Sequence, residues 1–294
     1  MFPLSYNSNG LRNMSTVSAV NVVAAAGYDG IEIALHAAHL HPHTVADTEL
    51  RQVLKALDKT GLALACLATG ADNLLSEQHF VPSLISADLA GRRRRIDMLK
   101  RAMEIAVALG APVLGFASGP LQPKLSRDIA WRHLVEGIRE CLDSANGLLL
   151  AIEPEPGFLV NTTVDAINLI EEIGSPELVM NMDIGHVYVT EDDFMDAVAR
   201  GARYSRHIHI EDIKNRVHVH EVPGDGDIPF SEVFRILQKE AYDGYLSVEL
   251  YNKTDWRDAL TRSRAHLLCH MATLQDPHVS NQQCHGERLA EDNP

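Results

Sequence analysis

Four residues able to bind a hard cation close apolar segments in the second half of the chain. Glu153 ends the run in LLLAIEPEPG, Asp183 ends that in LVMNMDIGH, His209 lies in RHIHIED and Glu249 ends that in YLSVELY. Singly, each has a plain reading: a carboxylate at a segment end is usually a solvated loop group, and a lone histidine usually a packed rim residue. Brought together, three carboxylates and one imidazole form an oxygen-rich donor set. Such a set suits one divalent ion, Mn²⁺ first and Mg²⁺ beside it, with Co²⁺ or Zn²⁺ also fitting. No thiolate belongs to it, which argues against a structural zinc knot. His186 follows Asp183 by three residues in DIGH, so a turn there can swing it back over the same place as a ligand or a substrate contact. In HIHIE the period of two puts His207 and His209 on one face, with His209 nearer the rim and His207 a layer deeper as support. His220 lies in HVHEVPGDGDIPF, residues 218–230, a loop shaped by glycine and proline from which it can reach a ligand hydroxyl or phosphate. Glu155, Glu211 and Asp212 fall past the segment ends and read as loop or helix-cap carboxylates.

These residues need a scaffold that delivers successive segment ends to one rim. Short apolar segments alternate with stretches of helical period along the chain, the pattern of βαβ units around a parallel sheet. Strands are expected near 4–7, 30–34, 62–68, 112–117, 147–153, 177–183, 205–211 and 245–250. Helices are expected near 15–26, 46–60, 87–109, 126–145, 162–173, 192–201, 230–240 and 255–274. Gly27, Gly61, Gly110 and Gly174 stand just after helical runs, where a left-handed residue ends a helix. Eight rounds within one chain of 294 residues favour a single (β/α)₈ TIM barrel over residues 1–274. A doubly wound open sheet is the alternative, disfavoured because no GxGxxG follows the first strand. Residues 275–294 lose apolar periodicity, turn polar and acidic, and read as a disordered tail.

Composition narrows the partners. A formal net charge of −14 repels a polyanion, so nucleic acid is not expected. The basic run Arg92 to Arg95 opens an amphipathic helix and reads as a solvated or partner-facing surface, with phosphate reading as the weaker alternative. No apolar run approaches the roughly 18 residues of a membrane span. The N-terminus lacks the basic and apolar regions of a secretory signal, so a cytoplasmic location is expected. Cys66, Cys141, Cys269 and Cys284 show no paired spacing and read as free thiols, with Cys66 in the core.

The segments AIEPEPG, MDIGH, HIHIED, PGDGDIPF and GYLSVEL, in that order at the expected strands, resemble the xylose isomerase-like TIM-barrel superfamily. This is the sugar phosphate isomerase/epimerase group, related to ketose 3-epimerases, inosose dehydratase, hydroxypyruvate isomerase and endonuclease IV. The resemblance covers roughly residues 4–270. It implies that Glu153, Asp183, His209 and Glu249 ligate one divalent metal, and that His186 and Glu32, at the end of strand two, contact substrate. It also allows a homo-oligomer. Endonuclease IV-like members build a three-metal cluster with histidines from earlier strands, where this chain has ACLATG and GFASG. Ketose 3-epimerases carry an arginine in the loop where His220 stands here.

The chemistry expected is removal of a proton from carbon beside a carbonyl in a small sugar or polyol ketone. That proton is too weakly acidic for a free carboxylate, so the developing enediolate needs a divalent cation as electrophile. Glu153 and Glu249 are the candidate catalytic pair. Standing on opposite faces of the substrate, one removes a proton and the other returns one, which epimerises the carbon. One base moving the proton between carbons gives isomerisation, and loss of a β-hydroxyl gives a dehydratase. A lyase of the same superfamily, inosose dehydratase-like or cleaving carbon-linked glycosides with a partner subunit, is therefore the alternative. A non-catalytic ligand-binding barrel is the alternative of another class.

Overall fold

The computed structural model describes residues 1–69, 73–251 and 253–274; the expected tail, 275–294, lies outside them. Eight parallel strands close into a barrel in sequence order. They are β1 (Leu4–Asn7), β2 (Gly30–Ala34), β3 (Ala63–Ala68), β4 (Val113–Ala117), β5 (Leu149–Glu153), β6 (Leu178–Asp183), β7 (Ser205–Ile210) and β8 (Tyr245–Val248). Closure runs through the β1–β8 pairs Leu4–Leu246, Ser5–Ser247 and Tyr6–Val248, which leaves no open sheet edge. Around the barrel lie α1 (Thr16–Ala25), α2 (Asp47–Thr60), α3 (Leu89–Leu109), α4 (Arg127–Leu142), α5 (Thr163–Ile173), α6 (Ile184–Thr190), α7 (Phe194–Ala202), α8 (Phe230–Lys239) and α9 (Trp256–Ala272). Two elements were not expected from sequence, the 3-10 turn Ser8–Leu11 and α6, both too short to show a period.

Apolar residues divide into two clusters. The large one fills the space between strands and helices, and a small one inside the barrel contains Cys66, Val113, Ala151 and Val179. The period of two explains the division. Along β5, Leu150 and Ile152 face the helices, while Ala151 faces inward. One step of two beyond Ala151 is Glu153, and beyond Val179 come Asn181 and then Asp183. Each outward Leu or Ile contributes about 1.5–3 kcal/mol by burial, which fixes the strands while their inward ends turn polar.

Local signals set the helix ends. Ser126 accepts from the Ile129 amide, and Thr162 forms a capping box with Asp165. Gly61 and Gly110 end α2 and α3 at φ of 68° and 74°, a conformation that suits glycine. The basic run on α3 is not uniformly solvated. Arg95 is buried, and its Nε donates to the Pro82 carbonyl at 2.8 Å, whereas Arg93 pairs with Glu140 at the surface. Cys66 and Cys141 are buried free thiols, and Cys284 lies outside the described residues. Among the described residues, no helix is long and apolar enough to cross a membrane.

Candidate functional site

Register brings the expected ligands together at the C-terminal end of the barrel. His209 on β7 pairs with Asp183 on β6 and with Ser247 on β8, two residues before Glu249. Around His209 Nδ1 stand Glu153 Oε1 at 3.1 Å, Glu249 Oε2 at 3.2 Å and Asp183 Oδ2 at 3.7 Å. One donor atom from each of the four residues lies within 4.8 Å of every other, and all four residues are buried. The other imidazole nitrogen, Nε2, lies 2.9 Å from Glu32 Oε1 and donates to it, so Nδ1, the nitrogen facing the three carboxylates, is the one that could ligate a cation after giving up its proton.

That arrangement fits a divalent cation. Asp183 Oδ2 is buried without a hydrogen-bond partner. A proton on Nδ1 could serve one carboxylate but not three, and burying unpaired carboxylates costs several kcal/mol for each. Three oxygens and one imidazole nitrogen around a common centre instead match the donor preferences of a hard or borderline dication. Charge in the site is correspondingly uneven. Burial, reinforced by Glu249 and Asp183, pushes the Glu153 carboxyl up to about 7 against the pull of His209. Burial acts the same way on Glu249, but the adjoining His209 and His220 outweigh it and hold that carboxyl below its usual range. Burial disfavours the charged form of His209 too, yet Glu249, Glu32 and Glu153 raise it well above an ordinary imidazole.

Glu32, expected to contact substrate, is turned toward His207 and His209 in this structure. It is fully buried, with Oε2 at 2.8 Å from His207 Nε2 and Oε1 at 2.9 Å from His209 Nε2. With both oxygens engaged by imidazoles it supports His207 and His209 from beneath. His207, expected as support, is the second imidazole on this carboxylate. Asn181 Nδ2 donates to Glu153 Oε2 at 3.2 Å.

His186 comes into the site because Asp183 caps α6: Asp183 Oδ1 accepts from the His186 amide at 2.7 Å. Its Nδ1 donates to the Pro154 carbonyl at 3.0 Å, leaving Nε2 3.7 Å from Asp183 Oδ2 and 3.9 Å from Glu155 Oε2. Burial pushes the His186 imidazole down to about 4. His220 Nδ1 donates to the Glu249 carbonyl at 3.0 Å, and its ring lies edge-on to Tyr251 and His186. Glu155 therefore belongs to the site rather than to an open loop.

Glu211 departs from its sequence reading. Read from sequence as a loop or cap carboxylate, it is fully buried beside Asp183, to which its protonated carboxyl can donate a hydrogen bond. Burial and the Asp183 charge raise its carboxyl well above the usual range. A Cβ at Gly185 would stand 1.6 Å from Glu211 Oε1, so the glycine of DIGH makes room for this carboxylate. The inward alternation His207, His209, Glu211 was the available signal. Asp212 is the loop clamp expected of it, accepting from the amides of Ile213, Gly224, Gly226 and Ile228 at 2.9–3.0 Å. Asn7, Asn9 and Tyr251, none of which the sequence pattern singled out, all donate to Glu249 Oε1.

Comparison with known proteins identifies the family and the fold. The profile of the family described as xylose isomerase-like TIM barrel matches residues 20–268. Fructoselysine 3-epimerase of Escherichia coli O157:H7 is 28% identical over 253 residues, covering 81% of this chain and 89% of that protein. D-psicose 3-epimerase of Agrobacterium fabrum is 26% identical over 258 residues, covering 81% of this chain and 83% of that one. Among solved structures, a D-tagatose 3-epimerase-like protein superposes with a TM-score of 0.80 at 20% identity, over 94% of this chain and all of that one, a likeness of fold.

Proposed function

This chain belongs to the xylose isomerase-like TIM-barrel family, and from that premise we propose that it is a divalent-metal-dependent epimerase of a keto-sugar or polyol ketone. Its similarity to fructoselysine and D-psicose 3-epimerases supports epimerisation over the other outcomes open to the same donor set. The observation that carries the reading is the approach of Glu153 from β5 and Glu249 from beyond β8 to the same nitrogen of His209, at 3.1 and 3.2 Å.

Glu153, Asp183, His209 and Glu249 would hold the cation. When bound, it supplies a Lewis acid that stabilises negative charge developing on a substrate oxygen. Glu32 keeps His209 in the tautomer whose Nδ1 faces the cluster. Glu153 and Glu249 exchange protons with the reacting carbon from opposite sides, one accepting as the other donates. His186 and His220, each anchored through Nδ1 to a backbone carbonyl, turn Nε2 to substrate oxygens, with Glu155 beside His186.

Proton NMR in D₂O tests this, using Mg²⁺-loaded protein and a panel of ketoses, ketose phosphates, inososes and hydroxypyruvate. Metal-dependent loss of one α-proton signal with appearance of the epimer is expected, and Glu249→Gln should slow it by about 10²–10⁴-fold. Loss of water from the substrate would move the assignment to a lyase. No exchange with any panel member, with cation bound, would refute the enzyme reading in favour of a binding barrel.

A further inference from the structure

Glu153 and Glu249 are held very differently. Glu153 receives one side-chain amide, from Asn181. Glu249 Oε1 receives three donors: Asn7 Nδ2 at 2.9 Å, Asn9 Nδ2 at 3.0 Å and the Tyr251 hydroxyl at 2.8 Å. Two of these donors are themselves fixed. The Asn7 side-chain oxygen accepts from the Asn9 amide at 2.9 Å, so its NH₂ must face Glu249. Arg12 Nη2 donates to the Asn9 side-chain oxygen at 2.7 Å, which turns the Asn9 NH₂ the same way. The Arg12 guanidinium also lies 5.8 Å from the centre of the Tyr251 ring. Arg12, Asn9, Glu249 and Tyr251 thus form a closed ring of contacts across the β1–β8 seam.

A carboxylate oxygen offers about two lone-pair sites, so three donors exhaust Oε1. Only Oε2, the oxygen beside His209 Nδ1, remains to meet a cation or a reacting carbon. We propose that Asn9, Tyr251 and Arg12 are positioning residues for the reaction, acting through Glu249 by saturating Oε1 and presenting Oε2 in one orientation. The inference rests on the epimerase reading above. None of the three need touch the reacting atoms, and Arg12 is an exposed residue one contact removed from Glu249.

The test compares the full-length, Mg²⁺-loaded wild type with Tyr251→Phe, Arg12→Ala and Arg12→Lys. The probe is the panel sugar the wild type epimerises, assayed in D₂O from each epimer. Deuterium is counted separately in recovered substrate and in product; Mn²⁺ affinity and the melting of cation-free protein are measured alongside. Losing one hydrogen bond to an ionised carboxylate should lower kcat by about 10-fold in Tyr251→Phe and somewhat less in Arg12→Ala. KM should stay within about twofold because the lost contact is not to substrate. The ratio of labelled product to labelled substrate should shift in opposite senses from the two epimers, since one of two proton-exchanging groups is impaired. Arg12→Lys, which keeps a donor for Asn9, should recover most of the rate. A purely structural seam would lower melting or Mn²⁺ affinity and leave the label ratio unchanged, which would overturn the proposal. Unaltered kcat and label ratio in both Tyr251→Phe and Arg12→Ala would overturn it too. A wild type that exchanges no α-proton overturns the functional reading and this inference with it, whereas exchange by wild type and variants alike removes this inference alone.

Discussion

Glu32 shows how a buried carboxylate can govern a site through its neighbours. It accepts from both His207 and His209 in full burial, so replacing one oxygen by an amide NH₂ sets a donor against one of the two imidazole nitrogens. Glu32→Gln should weaken Mn²⁺ binding by about 10–100-fold, the usual cost of losing a partner that orients a ligating histidine; calorimetric titration measures it, and unchanged affinity would contradict the support role. Gly185 matters for the space it leaves. Gly185→Ala should cost about 1–3 kcal/mol by overpacking, because its methyl would strike Glu211 Oε1. Urea unfolding of Gly185→Ala beside the double variant Gly185→Ala/Glu211→Ala checks this, with the shorter side chain expected to relieve the clash. Such effects are specific to atoms, and residue type alone does not announce them.

At the scale of elements, the connection from β7 to α8 carries His218 and His220 over the site, and a single carboxylate organises it. Asp212 accepts from four backbone amides, two of them from Gly224 and Gly226 in the far limb of the loop. A Cβ at Gly226 would stand 2.3 Å from Asp212 Oδ1, so glycine permits the close approach. Asp212→Ala should destabilise the protein by about 3 kcal/mol or more, since several amides lose a charged acceptor. Hydrogen exchange should rise over residues 213–228 before it rises in the strands; equal acceleration everywhere would instead indicate a global loss of stability. The chain reads as a loop from its glycines and prolines, PGDGDIPF, but the clamp that gives the loop one shape comes from the strand side. Likewise α6 exists because Asp183, at the end of β6, caps it, and that capping brings His186 into the cluster.

For the whole molecule, the cost of gathering buried carboxylates at one end of the barrel must be met by folding or by a cation. A cation at about a hundred times its dissociation constant adds about 2.7 kcal/mol, which raises the melting temperature by roughly 4–8 °C in a chain of this size. Chelation should reverse the rise, and Asp183→Asn should abolish most of it. An equal Mn²⁺-dependent rise in Asp183→Asn would place the ion elsewhere. The two apolar clusters are the other half of the balance. Leu150 and Ile152 stabilise β5 on its outer side, and Ala151 and Val179 close the barrel beneath Glu153 and Asn181. Thus one strand carries both the packing that holds it and the charge that strains it.

The sequence by itself determined the eight strands, their order and the four residues that converge at one rim, because hydrophobic alternation and segment ends are properties of contiguous residues. It marked Glu153, Asp183, His209 and Glu249 as the chemical set, and His186 and His220 as their neighbours. Only the tertiary structure decided what Glu32, Glu211, Arg95, Asn7, Asn9 and Tyr251 do. Each owes its place to a contact between residues distant in the chain: Glu32 with β7, and Asn7 and Asn9 with a carboxylate more than 200 residues away. Spacing along a strand shows which face a side chain occupies, whereas closure of the barrel selects the groups it meets there.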